Sequence, residues 1–149
     1  MSEDLWGVIY VSKPLATTKT LVTACHALAQ VSGHQALITE NLANLLKIQT
    51  NIILPRQLPA GSLSAWVSFW EDFPGAQGAI FLDENCLDTS SDILTRLAQA
   101  HGKCKLLVQS GPFPGYYSRA CLGAALRIRK QGNDDMQALL KALKAPLLR

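Results

Sequence analysis

Short, wholly apolar runs alternate with segments of helical periodicity, and this alternation constrains the fold more than any other feature of the chain. Residues 5–11 are apolar on both faces and rich in β-branched and aromatic side chains, which is typical of a buried strand in a parallel sheet. Helical spacing then begins near Thr18, and residues 35–39 form a second short strand pattern. Because a right-handed crossover joins the parallel strands of a β-α-β unit, the N-terminal part of the chain predicts an α/β fold.

The rest of the chain repeats this pattern without an internal repeat or a low-complexity linker. Further strands are predicted at residues 52–54, 78–82 and 105–109. Helices are predicted at residues 41–46, from residue 62, from residues 89–92, at 118–132 and at 134–144. The expected fold is therefore a three-layer α/β domain around a mainly parallel sheet of about four to five strands. One domain is expected, with residues 1–132 forming its body and residues 133–149 adding a C-terminal amphipathic helix.

Composition narrows the classes of protein to which the chain could belong. The formal net charge of +3 comes from 14 Lys and Arg against 11 Asp and Glu, without the concentrated basic face of a nucleic-acid binder. The acidic start is unlike a secretory signal, and no apolar stretch approaches the ~18 residues that span a bilayer, so we expect a cytoplasmic protein. No CxxC pair is present, so neither a metal site nor a disulfide framework is expected for Cys25, Cys86, Cys104 and Cys121.

The segment after the first strand has the outline of a phosphate-binding loop. Lys19 and Thr20 stand where the Lys-[ST] pair of a P-loop belongs, at the start of the next helix. Lys13 and Thr18 occupy both glycine positions, where side chains obstruct positive φ angles and the approach of phosphate to the backbone. Pro14 also removes one N–H donor. The pattern predicts a degenerate loop that has lost most of its capacity to bind phosphate.

A second acidic signal follows the strand at residues 79–82. In P-loop proteins an apolar strand ends in an Asp that supports magnesium and a Glu that orients water, and Asp83 and Glu84 fit that pattern. The predicted nucleotide-binding residues are therefore Lys19, Thr20, Asp83 and Glu84, as an inactive remnant. No catalytic residue and no cofactor are predicted.

The order of these motifs resembles a known family. The stretches that carry the resemblance are residues 8–12, 35–39, 78–85, 92–100, 104–111 and 118–132. They resemble the first RecA-like lobe of RecD-type superfamily-1 helicases, above all the vestigial helicase domain within F-type conjugative relaxases. The resemblance implies a domain that does not hydrolyse ATP, helps to hold single-stranded DNA and is recognised by the coupling protein of a type IV secretion system. We therefore expect a non-catalytic interaction module with a protein partner of that kind, and single-stranded DNA as a further ligand.

Two alternatives belong to other functional classes. One is an inhibitor of a cell-division protein of the SulA type, which also has a RecA-like fold without a nucleotide site. The other is an active NTPase or DNA-processing enzyme with an unusual phosphate loop.

The C-terminal helix is the predicted partner-binding element. Asp134 and Asp135 open it, as expected of acids at a helix N-terminus, and its lysines come last. Its apolar stripe consists of Met136, Leu139, Leu140 and Leu143. Docking of this stripe onto its own domain is the favoured interpretation. The alternative is a detachable helix that binds a groove on another protein, with a basic rim formed by Lys141, Lys144 and Arg149.

Overall fold

The computed structural model describes residues 2–13, 15, 18–40, 50–56 and 58–148. The strands in this part of the chain are β1 (Ser2–Val11), β2 (Ser32–Thr39), β3 (Asn51–Ile53), β4 (Gly78–Asp83), β5 (Leu106–Val108) and β6 (Gly115–Ser118). The helices are α1 (Lys19–Ala29), α2 (Ser62–Asp72), α3 (Ser91–Ala98), α4 (Leu122–Lys130) and α5 (Met136–Leu143), with a 3₁₀ turn at Arg119–Cys121. The helix predicted at residues 41–46 lies outside the described residues.

The strands form one six-stranded sheet in the order β3-β2-β1-β4-β6-β5. β1 pairs in parallel with β2 on one side and with β4 on the other, and β3 pairs in parallel with β2. β6 is antiparallel to both of its neighbours, β4 and β5. The prediction of a three-layer α/β fold with a mostly parallel sheet is confirmed, and the described sheet has one strand more than the sequence indicated.

Helices cover both faces of the sheet and divide the core into two parts. On one face, α1 and α3 pack Leu21, Leu28 and Leu97 against the sheet. On the other face, α2, α4 and α5 enclose the larger part of the core, which includes the side chains of Trp66 and Trp70. Burial of these two rings, at 1% and 0% exposure, is expected for aromatic residues four apart on one helical face.

The start of α4 differs from the prediction of one helix over residues 118–132. The chain first forms β6, and the helix begins only after the 3₁₀ turn. Tyr116 and Tyr117 point to opposite faces of the sheet, and each ring is almost fully buried in its half of the core. Since alternation of this kind suits an extended strand, the residues before the predicted helix pair with β4 and β5, and α4 begins at Leu122 instead of at residue 118.

No helix in the described part of the chain is both long enough and apolar enough to cross a membrane.

Candidate functional site

The carboxyl ends of β1, β2 and β4 lie side by side, and we call this border of the sheet the carboxyl edge. The register pairs Tyr10 of β1 with Asp83 of β4, and Val11 of β1 with Thr39 of β2, so the three strands end at the same level. In open α/β sheets, ligands bind outside the carboxyl ends of the strands. A functional site of this fold is therefore expected at this edge.

A direct contact joins the ends of β1 and β4. The Ser12 hydroxyl donates a hydrogen bond of 2.5 Å to Oε1 of Glu84, and the Ser12 backbone nitrogen lies 3.5 Å from Oε2. Both residues are at the surface of the edge. The Glu84 carboxylate is thus held beside the segment that follows β1, where a ligand bound by that segment would meet it.

Asp83 ends β4 and adopts a local turn. Its Oδ1 accepts a hydrogen bond of 2.9 Å from the backbone N–H of Asn85. The thiol sulfur of Cys86 lies 3.3 Å from the Asp83 backbone nitrogen. Burial is the main cause that raises the pKa of the Cys86 thiol to about 12. The thiol is therefore protonated at neutral pH and unsuited to act as a nucleophile.

Lys19 and Thr20 begin α1, which follows β1 and therefore starts near the same edge. Both residues are exposed, and Thr18 takes the N-cap position without a side-chain hydrogen bond to the helix. Positions 14, 16 and 17 of the predicted loop lie outside the described residues. The fold thus brings both predicted pairs, Lys19–Thr20 and Asp83–Glu84, to one edge of the sheet.

Two further side chains at the edge, those of Tyr10 and Glu40, were not predicted as site residues. The Tyr10 hydroxyl donates a hydrogen bond of 3.0 Å to the carbonyl oxygen of Ala60, and Oε1 of Glu40 accepts one of 2.6 Å from the Ala60 N–H. Burial, followed by the negative charges of Glu40, Glu84 and Asp134, raises the pKa of Tyr10 to about 12. Acidic groups therefore surround the Tyr10 hydroxyl. Glu40 carries the same sequence signal as Asp83, since each stands where a buried strand ends.

The predicted partner-binding stripe lies elsewhere, on α5. Met136 and Leu139 have 0% exposure and belong to the core between the sheet and its helices α2 and α4. Leu140 and Leu143 are partly buried against the same core. The helix thus docks on its own domain, and within the stripe Leu140 and Leu143 are the two residues that keep part of their side chains accessible. Binding of a protein partner or of single-stranded DNA stays a prediction.

The arrangement at the edge limits what metal chemistry it can perform. Among the described residues, no three His, Cys, Asp or Glu side chains form a group that could hold a metal ion. Asp83 and Glu84 offer carboxylate oxygens, which suit magnesium or manganese. Magnesium is commonly bound by one or two carboxylates together with substrate phosphates. The edge is therefore compatible with a cation that arrives with a phosphorylated ligand.

Comparison with known proteins gives structural neighbours only, since no protein-family model and no curated protein sequence matches the chain. A 4-diphosphocytidyl-2C-methyl-D-erythritol synthase from Anaerococcus prevotii superposes with a TM-score of 0.73 at 9% identity, covering 97% of this chain and 86% of the other. Rv0371c from Mycobacterium tuberculosis, solved in complex with manganese, has a TM-score of 0.67 at 16% identity, with coverage of 95% and 82%. A protein from Aquifex aeolicus has a TM-score of 0.70 at 13% identity, with coverage of 97% and 85%.

These neighbours correct the family resemblance inferred from the sequence. They are Rv0371c-like proteins and synthases, not RecD-type helicase or relaxase domains. The predicted conjugation module, and with it the RecA-like and helicase assignment, is therefore wrong. Alternating strands and helices with acids after β4 occur in many α/β folds, and the match of motif order did not include β6, whose reversed direction sets this sheet apart.

Proposed function

We propose that this protein is of the nucleotidyltransferase type and binds a nucleoside triphosphate together with a divalent cation at the carboxyl edge. The observation that carries the proposal is the placement of Asp83 and Glu84 at the end of β4, beside Ser12 at the end of β1. Two structural neighbours support it by their folds. One is the 4-diphosphocytidyl-2C-methyl-D-erythritol synthase, and the other is Rv0371c, which was solved in complex with manganese.

The loss of the P-loop glycines does not count against this proposal. Those glycines are required of a P-loop protein, and the structural neighbours belong to other groups. Lys13 and Lys19 stay at the edge as positive charges for phosphate groups, and the N-terminus of α1 adds the favourable end of a helix dipole. Pro14 still lacks a donor, so binding would depend more on these charges than on a backbone cradle.

The side chains at the edge suit a cation that bridges protein and nucleotide. Since Oδ1 of Asp83 is used by the Asn85 N–H, its second oxygen is the one suited to a metal ion. Glu84 is held in place by Ser12. A bound divalent cation would neutralise phosphate charge, while the lysines orient the triphosphate. In nucleotidyl transfer, an acceptor oxygen forms a bond to the α-phosphorus, and pyrophosphate leaves with the electron pair of the broken P–O bond.

Calorimetric titration with CTP, ATP and GTP, with manganese or with a chelator, tests the proposal. We expect a dissociation constant of about 1 mM or tighter for one nucleotide, and only with the metal ion present. Asp83→Asn should weaken the metal-dependent binding by about tenfold or more, and Lys19→Ala should weaken nucleotide binding similarly. Glu71→Gln and Lys103→Ala change exposed charges away from this edge and serve as matched controls. Absence of binding by every nucleotide at millimolar concentration would overturn the proposal.

A further inference from the structure

A concave site lies at the opposite border of the sheet, where β1 and β2 begin, which we call the amino edge. This cleft has a volume of about 370 Å³. It is lined by residues of β1 and β2 and by the end of α2 with the turn that follows. The lining residues are Asp4, Trp6, His34, Asp72, Phe73, Pro74, Gly75 and Ala76. None of the predicted nucleotide-binding residues takes part in it.

Aromatic rings form one wall of the cleft. Trp6 and His34 are neighbours across the parallel pair β1–β2, and their rings stack with centroids 4.8 Å apart and an interplanar angle of 25°. The ring centroid of Phe73, at the end of α2, lies 4.4 Å from that of Trp6, with an interplanar angle of 39°. The wall is therefore held by contacts on two strands and one helix.

The charges that line the cleft are acidic. Asp4 and Asp72 both contribute to it, and no Lys or Arg occurs among its described lining residues. The Asp4 side chain is 74% exposed and lies 3.3 Å from Nε2 of His101. The C-terminus of α2 also points to this edge and adds the negative end of its helix dipole. Both aspartates and this helix end therefore attract a cation.

One cationic side chain of the protein, Arg119, already binds the end of α2. The Arg119 guanidinium donates hydrogen bonds of 3.0 to 3.3 Å to the backbone carbonyls of Trp70, Phe73 and Ala76, at the end of α2. Its central carbon lies 5.8 Å from the centre of the Trp70 ring. The same combination of carbonyls and aromatic ring thus binds a positive charge on the inner side of the helix end.

On the outer side, Arg56 pairs with Asp72 at 3.1 Å and with Glu71 at 3.5 Å. The Arg56 side chain is 64% exposed, so water and salt screen this pair and it contributes little free energy. Arg56 partly offsets the negative charge of Asp72, but it is not one of the residues that line the cleft.

We propose that the amino-edge cleft binds a quaternary ammonium group. Such a group has no N–H donors to satisfy, so an aromatic wall with carboxylates at its rim matches its chemistry. Small-molecule sites are typically concave, largely apolar and preformed, with a few polar groups that set specificity.

Fluorescence of Trp6 gives a direct reading of occupancy. Trp66 and Trp70 have 1% and 0% exposure, so Trp6 is the partly exposed indole of the three. The test is a titration of the protein with choline chloride at constant ionic strength, followed by tryptophan fluorescence. Titrations with the neutral isostere 3,3-dimethyl-1-butanol and with sodium chloride serve as comparators. A saturable change with choline alone is expected.

Variants then locate the binding site and separate charge from shape. Asp72→Asn should weaken choline binding by about two- to fivefold, because it removes one carboxylate from the rim. Arg56→Ala should strengthen choline binding by a similar factor, because it removes the competing cation. Asp92→Asn, an exposed change at the start of α3, should leave it unchanged. Line broadening of the choline methyl signals in proton magnetic resonance gives a second readout, independent of fluorescence.

Each other result overturns the inference. An equal response to 3,3-dimethyl-1-butanol would mean that the cleft recognises apolar shape and not charge. No saturable response to choline, or a response unchanged by both Asp72→Asn and Arg56→Ala in folded protein, would mean that this cleft is not an ammonium site. The nucleotide titrations do not depend on either outcome.

Discussion

The carboxylate of Asp134 lies 2.7 Å from the backbone nitrogen of Gly61, and this contact joins the start of α2 to the segment between α4 and α5. The other carboxylate oxygen accepts a hydrogen bond of 2.6 Å from the Ser64 N–H, and the Asp134 carbonyl accepts one from Leu63. In return, the Ser62 hydroxyl accepts a hydrogen bond of 2.9 Å from the N–H of Met136. Three N–H groups at the start of α2, where a helix leaves its donors unpaired, are thus satisfied by a distant segment.

Replacement of Asp134 by Ala should therefore destabilise the protein more than removal of an ordinary exposed acid. Two partly buried N–H groups would lose a charged acceptor, and loss of a capping side chain costs up to about 2 kcal/mol. Urea denaturation followed by circular dichroism measures the change in the free energy of unfolding. Asp88→Ala, at an exposed position, is the control and should change it by less than about 0.5 kcal/mol. Equal effects of the two substitutions would contradict this account of the contact.

Gly61 should tolerate no side chain, for a steric reason. A Cβ at this position would lie 2.3 Å from the Asp134 carbonyl oxygen and 2.6 Å from its Cγ. The φ angle of −72° is open to any residue, so the clash and not the backbone angle is the obstacle. We expect Gly61→Ala to lower the free energy of unfolding by about 1–3 kcal/mol. At Gly75 a Cβ would meet nothing within 4 Å, so Gly75→Ala should be neutral or slightly stabilising in the same denaturation assay.

These contacts explain why the sequence predicted some parts of the molecule and not others. β1 and β4 are apolar on both faces, and such a run indicates a buried parallel strand from local sequence alone. Asp134 was interpreted as an acid at the start of the last helix, whereas α5 is capped by Asp135, which accepts a hydrogen bond from Gln137, and Asp134 caps α2. A contact across 73 residues leaves no trace in local periodicity.

β6 was missed for a similar reason. It lies between the strand predicted at residues 105–109 and the helix predicted at 118–132, and its pairing of Gly115 with Phe81 is set by the distant strand β4. The site at the carboxyl edge was predicted only in part. Asp83 and Glu84 were selected by their place after a strand, and the same rule applied to β2 would have selected Glu40. Tyr10 gave no such signal, because its role depends on acidic groups from three other segments.

The tyrosines should titrate only at strongly alkaline pH. Burial is the main cause that raises the pKa values of Tyr10 and Tyr116 from 10.0 to about 12, and it raises that of Tyr117 well above 10.0. Above pH 10 the unfolded chain releases its tyrosine protons while the folded chain keeps them. This stabilising contribution is complete below pH 10 and is lost as the pH rises towards 12.

Ultraviolet absorbance of tyrosinate, recorded with and without denaturant, measures this difference. Denatured protein should ionise near pH 10, and native protein should show little tyrosinate until the pH nears 12 or the fold is lost. Tyr10→Phe should make the fall of stability with rising pH less steep. All other residues are common to both proteins, so their contributions cancel in the comparison. A native tyrosine that ionises near its ordinary pKa would show this interpretation of the burial to be wrong.

The C-terminal helix should behave as part of the core. Leu139 has 0% exposure and packs with α2 and α4, and after the helix the backbone of Pro146 and Leu148 bonds to Val108 of β5. Leu139→Ala should therefore lower the free energy of unfolding by about 2–5 kcal/mol, as expected for a fully buried leucine. Leu143→Ala is the matched control on the same helix, because its side chain is only partly buried, and it should cost less. Thermal melting of both variants measures the difference. A pair of equally small losses would mean that α5 is only loosely held and free to leave the domain for another protein, whereas a large loss at Leu139 alone would show that α5 is part of the core.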